Sequence, residues 1–208
     1  RLALRIAQGW IRSGRLARAD TLLAADSSVE ALAVRGRIAL YRGDLAAART
    51  MLAEAGPFTG ERAAATERIG LLGILQVIEE DSLPGLGEAF LSLERQDSAS
   101  AAARLEQLAP TLPNDHGGDE LLLLAGRVRG GMGKGALAEE LYRTVIAHAT
   151  PASAAAAEFA LAELLLRSGR SAPAIAALEH LLVTWPTSAV VPQARRLLDQ
   201  ARGAVPLS

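Results

Sequence analysis

The sequence predicts an all-α fold in which antiparallel helix pairs stack as an α-solenoid, and three observations lead to this prediction. Half of the 208 residues are apolar but only 3% are aromatic, so Ala and Leu, both strong helix formers, must fill the core. Helix-like runs alternate with short breaks that contain Gly, Asp, Ser or Pro. No segment keeps the period-two alternation of a strand, so we expect no sheet.

The apolar periodicity predicts twelve helices, with most prolines at or near the breaks between them, where a residue lacking an N–H is tolerated. We expect Ser188 to cap the last helix. The expected helices cover about 2–13, 16–26, 28–42, 44–55, 60–80, 84–96, 98–109, 118–130, 134–148, 152–168, 171–184 and 188–203.

One spacing recurs in four of the expected helix pairs. A turn Gly is followed five residues later by Ala, and four residues after that by a large residue. Gly adopts a left-handed turn at little cost, Ala lets the two helices approach closely, and the large residue fills the groove beside it. The copies are Gly14/Ala19/Leu23, Gly43/Ala48/Leu52, Gly133/Ala138/Tyr142 with Pro151, and Gly169/Ala174/Leu178 with Pro186.

These four copies resemble the tetratricopeptide repeat family, which has Gly at the inter-helix turn, Ala early in the second helix, a large residue four positions on, and Pro at the repeat end. The resemblance implies a right-handed superhelix and one continuous solenoid. It places two N-terminal units in 1–56, an irregular region in 57–117, and two C-terminal units with a capping helix in 118–208. In the irregular region we expect a longer hairpin at about 60–96, then an extra helix and a Pro-rich linker.

The segment from Thr184 to Leu198 resembles a repeat variant common in bacterial cell-envelope proteins, including periplasmic repeat proteins and outer-membrane assembly lipoproteins. In that variant a Tyr/Trp-Pro-x-Ser turn precedes a helix that opens near Val-x-x-Ala. The resemblance implies a bacterial protein of the periplasm or cell envelope, with the cytoplasm as the alternative. Because the chain begins at Arg1 without Met, we expect either a removed targeting segment or the ordered part of a longer protein.

Charge and composition exclude several classes of function. The formal net charge is -1, from 22 basic and 23 acidic residues, which gives no basic excess for a nucleic acid. The absence of Cys excludes disulfides, zinc-thiolate sites and Cys nucleophiles. No apolar run approaches the ~20 residues that cross a bilayer, so we predict no transmembrane segment. Membrane association through residues before Arg1, or through a partner, stays open.

Two segments invite a ligand-binding interpretation, and for both a structural one is favoured. The glycine cluster 130–135 would need Gly at Val128 and Ser or Thr at Gly135 to form a phosphate-binding loop, so we interpret it as an inter-helix turn. The segment 114–120 gathers His116 with three acidic residues but lacks the alternation of a calcium loop, so we interpret it as a polar linker with Asp119 near the next helix start. We predict no metal and no cofactor.

The remaining isolated polar and aromatic residues are also interpreted as structural. His148 and His180 lie late in expected second helices, where a cation suits the helix dipole. The acidic run 79–81 is interpreted as a solvated face. The aromatic residues expected to pack between helices are Trp10, Tyr41, Phe159 and Trp185.

The family resemblance implies that the first helix of each pair lines a concave surface that grips segments of partner proteins. The predicted partner-binding residues are Gln8, Ile11, Arg12, Arg37, Tyr41, Leu123, Arg127, Phe159, Glu163 and Arg167. Members that clamp a terminal carboxylate use Lys and Asn at positions held here by Leu4, Ala33, Leu123 and Phe159, so that clamp is absent.

We therefore predict a non-catalytic protein-interaction scaffold, a subunit or adaptor of a larger bacterial assembly, and not an enzyme. Two alternatives stay open. One is an accessory helical domain of a larger enzyme, such as a cell-wall lyase or protease. The other is a ligand-sensing repeat domain of a regulator.

Overall fold

The computed structural model describes residues 2–56 and 62–203, and its regular secondary structure in these ranges is helical. All twelve expected helices are present, which confirms the predicted all-α fold. Two short 3-10 turns, Ala109–Thr111 and Asn114–His116, precede the eighth helix. The helices are α1 (Leu2–Arg12), α2 (Leu16–Leu23), α3 (Val29–Tyr41), α4 (Leu45–Glu54), α5 (Arg62–Val77), α6 (Pro84–Glu94), α7 (Ser98–Leu108), α8 (Gly118–Gly131), α9 (Gly135–His148), α10 (Pro151–Arg167), α11 (Ser171–Thr184) and α12 (Val191–Gly203).

The helices belong to two compact units, Arg1–Leu108 and Ala109–Ser208. In the first unit α1 packs with α2, α3 with α4, and α6 with α7, each pair antiparallel across a short turn. In the second unit α8 packs with α9 and α10 with α11, while α10 also packs on α9 and α12 on α11. Each helix from α9 to α12 thus packs on the one before it, which is solenoid-like stacking. Among the described residues, none of the helices has the length and apolarity to span a bilayer.

The expected cap of the last helix is wrong. α12 begins at Val191, three residues later than predicted, because residues 185–190 form turns of their own. The N–H groups of Gln193 and Ala194 donate to the carbonyl of Val190 at 3.1 and 2.9 Å, so Val190 and not Ser188 precedes the helix. The expected start of α5 at residue 60 lies outside the described residues.

Residues 84–108 form a helix pair that the sequence analysis did not recognise. α6 packs against α7 and α3, whereas α5 packs against α4, so the hairpin expected at about 60–96 is wrong. Gln96 holds the turn position with a left-handed φ of 63°, and the fully buried Ala101 and Leu105 follow at the spacing of the other four copies. The pair was overlooked because Gln replaces the turn Gly.

Each first helix has a small buried residue sixteen positions before the large residue of its partner helix, and in two pairs the structure shows that the two are in close contact. A Cβ at Gly36 would lie 2.9 Å from Cγ of Leu52, and a Cβ at Gly126 would lie 2.5 Å from Cε1 of Tyr142. The largest of the five groove residues therefore packs where the first helix has no side chain. The five pairs are Ala7/Leu23, Gly36/Leu52, Ala89/Leu105, Gly126/Tyr142 and Ala162/Leu178, all ten residues being buried.

Arg49 of α4 holds the connection between α5 and α6. Its guanidinium donates to the carbonyls of Leu75 and Ile78 at 3.1 and 2.8 Å and to Oδ1 of Asp81 at 2.7 Å. The carbonyl of Asp81 in turn accepts the N–H of Leu45 at 2.9 Å, at the start of α4. The acidic run 79–81 is exposed, as the interpretation of a solvated face expects, and Asp81 also ties the connection between α5 and α6 to α4.

The Gly126–Tyr142 contact leads to a first prediction. Gly126→Ala should lower the free energy of unfolding of the second unit by about 1–3 kcal/mol, because the new methyl group overlaps the Tyr142 ring. Gly131→Ala in the same helix meets nothing within 4 Å, so it should leave stability unchanged or raise it by up to about 1 kcal/mol. Urea unfolding followed by circular dichroism measures both. Equal stability of the two variants would contradict the close contact.

The Gln96 turn leads to a second prediction. Gln96→Gly should stabilise the first unit by about 1 kcal/mol, because Gly removes the cost of a Cβ in the left-handed conformation. Gln96→Ala keeps that Cβ and should give no gain. The midpoints of chemical unfolding for the two variants and the unaltered chain provide the measurement. A gain shared by both variants would show that the backbone strain is not its source.

Candidate functional site

The ten predicted partner-binding residues fall into three sets. Ile11, Tyr41 and Leu123 are only 2, 7 and 6% exposed, so they offer a partner very little surface. These side chains face neighbouring helices and complete the core. The half-buried residues are Arg37, Phe159 and Glu163, and the exposed ones are Gln8, Arg12, Arg127 and Arg167.

In the first unit, Arg37 and Tyr41 belong to a polar network between α3 and α6. The Arg37 guanidinium donates to the Tyr41 hydroxyl at 2.9 and 3.1 Å and forms an ion pair with Glu94. The Tyr41 hydroxyl donates to Oε2 of Glu94 at 3.1 Å. Burial raises the pKa of Tyr41 to about 12, against the opposing effect of Arg37, so the hydroxyl keeps its proton and remains a donor.

The network uses groups that the sequence analysis had assigned to a partner. Arg12 lies 3.6 Å from Glu94, and Arg37 lies 3.5 Å from Glu67 of α5. Four helices of the first unit therefore meet at two carboxylates. Glu94 was not singled out from the sequence, because the helix pair to which it belongs was not recognised. We assign Arg37 and Tyr41 to the stability of the first unit.

In the second unit, three predicted residues meet in one open cavity of about 440 Å³. Arg127 comes from the last turns of α8, and Glu163 and Arg167 come from the last two turns of α10. α9 contributes Tyr142, whose ring packs on Gly126. The lining residues are Arg127, Gly130, Gly131, Tyr142, Ala160, Glu163 and Arg167. We call this cavity the α8–α10 cavity.

The α8–α10 cavity carries an excess of positive charge. Neither Arg127 nor Arg167 forms a hydrogen bond or ion pair with any residue in the described part of the chain. Burial raises the pKa of Tyr142, while both arginines lower it and Glu163 raises it further. Two guanidinium groups face one carboxylate here, so the cavity suits an anionic group.

Glycines keep the wall of the α8–α10 cavity open. Gly130 and Gly131 end α8, and a Cβ at Gly131 would meet nothing within 4 Å. The backbone is therefore accessible beside Arg167, whose Nη2 would lie 3.9 Å from a Cβ at Gly130. These residues belong to the glycine cluster that the sequence analysis interpreted as an inter-helix turn. Gly133, with a φ of 74°, forms the turn itself.

A second groove in this unit, of about 570 Å³, differs because its charges are neutralised. Glu139 binds Arg143 at 2.5 Å and Arg170 at 2.8 Å. No such pairing holds the arginines of the α8–α10 cavity. Arg143 and Arg170 thus form ion pairs within the fold, whereas Arg127 and Arg167 form none with the described residues.

Two histidines expected at helix ends also pair with buried carboxylates. Nδ1 of His148 lies 2.5 Å from Oδ1 of the fully buried Asp119, joining α9 to α8. Nδ1 of His180 lies 2.8 Å from Oε1 of the buried Glu158, joining α11 to α10. Sequence spacing did not indicate these pairs, because the partners lie far apart in the chain and meet only after the helices pack.

The polar residues of segment 114–120 lie partly at the surface and partly in the core. Asp115 and His116 lie 3.1 Å apart in a short 3-10 turn at the surface, while Asp119 points into the core. Within residues 2–56 and 62–203, no three His, Cys, Asp or Glu side chains are grouped as metal ligands would be. The segment starts α8 and positions the Asp119–His148 pair.

Neither a family model, a curated protein nor a solved structure matches this chain. What the protein does must therefore be inferred from its own residues.

The Asp119–His148 pair leads to a third prediction. His148→Ala should lower the free energy of unfolding of the second unit by roughly 3 kcal/mol, because it leaves a buried carboxylate without its partner. His116→Ala removes a histidine from a solvent-exposed pair and should cost less than about 1 kcal/mol. Thermal and urea unfolding of both variants test the difference.

A double variant tests the origin of the effect. Asp119→Ala combined with His148→Ala should cost less than the sum of the two single changes, because neither side chain is then left without its hydrogen-bond partner. Additive losses would contradict a direct interaction between the two side chains.

Proposed function

We propose that this chain is a non-catalytic protein-interaction scaffold, and that the α8–α10 cavity receives an acidic group of a partner polypeptide. One observation carries the proposal: Arg127 and Arg167 stand unpaired at an open cavity, whereas Arg37, Arg49 and Arg170 are all engaged within the fold. A fold that pairs so many of its arginines leaves these two available for a ligand.

The chemistry of the cavity favours a carboxylate of a protein. A guanidinium presents donors in a planar fork that matches a carboxylate, and such charge-assisted hydrogen bonds are about twice as strong as neutral ones. The buried Tyr142 and the small Ala160 give the cavity an apolar part beside its cations. Arg and Tyr are enriched where binding energy is concentrated in protein interfaces.

The size of the cavity supports capture of a peptide segment. A volume of about 440 Å³ accommodates a few side chains but not a whole helix. The exposed backbone at Gly130 and Gly131 permits close approach of an extended chain. Among the described residues that line the cavity, Glu163 is the single carboxylate, so the cavity offers no acid–base pair of carboxylates for catalysis.

The repeat pattern supports the same role. Five helix pairs carry the spacing that resembles the tetratricopeptide family, a class of scaffold that assembles complexes. The segment resembling cell-envelope repeats packs Trp185 against the α10–α12 core and opens α12 at Val191. We therefore propose a subunit or adaptor of a larger bacterial assembly, located in the periplasm or cell envelope.

The experiment that tests this function is a selection from a random peptide library displayed with both free and blocked C-termini. We expect the selected peptides to be enriched in Asp, Glu or a free terminal carboxylate. Arg127→Gln with Arg167→Gln should weaken their binding roughly tenfold or more, the loss expected for one or two charge-assisted hydrogen bonds. Fluorescence anisotropy of labelled peptides gives the affinities.

The matched control is Arg195→Gln with Arg196→Gln, which removes the same charge from exposed positions of α12 in the same unit. This control should bind as tightly as the unaltered chain. Peptides without acidic enrichment, or equal losses in both double variants, would disprove the assignment of the α8–α10 cavity.

A further inference from the structure

No helix in the described ranges packs against one apolar face of the first unit. On α1, Leu2 and Ile6 are 71 and 40% exposed, and Trp10 continues the same row one turn further. On α2, Leu22 is 37% exposed. Large apolar side chains grouped at one place on a surface mark an interaction site more often than single exposed ones do. We call these four residues, together with Gly9 between them, the α1–α2 outer face.

The α1–α2 outer face is concave where the two helices meet. A groove of about 410 Å³ runs there between the end of α1 and the middle of α2. Its lining is mostly apolar and includes one arginine and one threonine. The lining residues are Trp10, Ala17, Arg18, Thr21 and Leu22.

In the next helix pair, α3–α4, the corresponding positions of the first helix are buried. When α1 and α3 are aligned on their turn glycines, Leu2 and Gly9 of α1 correspond to Ala31 and Ile38 of α3. Both α3 residues are fully buried, because α3 packs against the α1–α2 pair as well as against α4. Leu2 and Gly9 of the α1–α2 outer face thus hold positions that a neighbouring helix covers in α3.

The charges around the α1–α2 outer face are positive and unpaired. Arg5 and Arg18 are exposed and, within the described ranges, form no hydrogen bond or ion pair. The one acidic residue of α1 and α2, Asp20, is already held by Arg35 at 3.0 Å and Arg42 at 2.9 Å. A second copy of this chain docking through the same face would bring arginine against arginine.

We propose that the α1–α2 outer face binds an amphipathic helix of a partner protein whose apolar stripe is flanked by Asp or Glu. Leu2, Ile6 and Trp10 form a ridge of side chains spaced by four residues, about 12 Å long, which fits the groove of another helix. A Cβ at Gly9 would meet nothing within 4 Å, so the partner's side chains can reach the α1 backbone. Acidic residues of the partner pair with Arg5 and Arg18.

The first unit already contains one helix–helix contact in which an acidic residue of one helix pairs with arginines of the other. α2 packs on α3, and Asp20 of α2 forms ion pairs with Arg35 of α3 and with Arg42, which follows α3. The proposed partner helix would provide the acidic residues in the same way. This surface lies within the first unit and does not depend on the α8–α10 cavity of the second.

The test uses three labelled synthetic peptides of one length and the full chain. The first has a Leu stripe flanked by Glu, the second has the same stripe flanked by Lys, and the third has the composition of the first with its stripe scrambled. We expect the Glu peptide to bind at least about tenfold more tightly than the other two, with an affinity that falls as salt is added. Equal binding of all three, or no binding, would overturn the proposal.

Variants place the binding on the α1–α2 outer face. Ile6→Glu and Leu22→Glu should each weaken binding of the Glu peptide about tenfold or more, whereas Val183→Glu, at an exposed apolar position of α11, should not. Arg5→Glu with Arg18→Glu should reverse the preference in favour of the Lys peptide. Variants that leave the affinity and the preference unchanged would overturn the assignment.

Two further measurements test whether a second copy of the chain covers this face and whether the peptide binds in the α8–α10 cavity. Sedimentation that shows a dimer of the unaltered chain and a monomer of Ile6→Glu would mean that a second copy covers this face, which would overturn the proposal. Arg127→Gln with Arg167→Gln should leave binding of the Glu peptide unchanged. A loss in that variant would place the peptide in the α8–α10 cavity instead, and would again overturn the proposal.

Discussion

The fold depends on close contact between a small residue on one helix and a large residue on the next. At Gly126 the contact with the Tyr142 ring leaves no room for a methyl group, and Gly36 faces Leu52 almost as closely. A sequence with few aromatic residues can then bury its apolar surface by bringing helix axes together rather than by filling wide gaps with large side chains. The antiparallel pairs and their stacking follow from this constraint.

Hydrogen bonds and ion pairs between polar side chains also link neighbouring helices. Glu94 ties α6 to Arg37 and Tyr41 of α3, and Asp119 ties α8 to His148 of α9. Burying a carboxylate raises the free energy of the folded state unless a hydrogen-bonding or positively charged group pairs with it. Such pairs therefore favour the one arrangement of helices that brings the partners together. Among the arginines that have no partner within the described residues, Arg5, Arg18, Arg127 and Arg167 border the two surfaces to which we assign partners.

The two surfaces differ in what they can hold. The α8–α10 cavity has two cations above a buried tyrosine and an open backbone, which suits an acidic group on an extended segment. The α1–α2 outer face has a ridge of apolar side chains with cations at its margins, which suits a helix. A chain with both surfaces would join two partners, or two parts of one partner, as the proposed scaffold requires.

The sequence by itself determined the twelve helices, four of the five helix pairs and the positions of their turn glycines, because these depend on local spacing and on residues close in the chain. The family resemblance also singled out Arg127, Glu163 and Arg167, because it implies that the first helices of successive pairs line one surface. Only the tertiary structure decided that Gln96 replaces a turn Gly, that Ile11, Tyr41 and Leu123 are buried, and that Glu94 takes up Arg37. These outcomes depend on groups that are distant in the chain, because exposure and charge pairing are settled only when whole helices pack together.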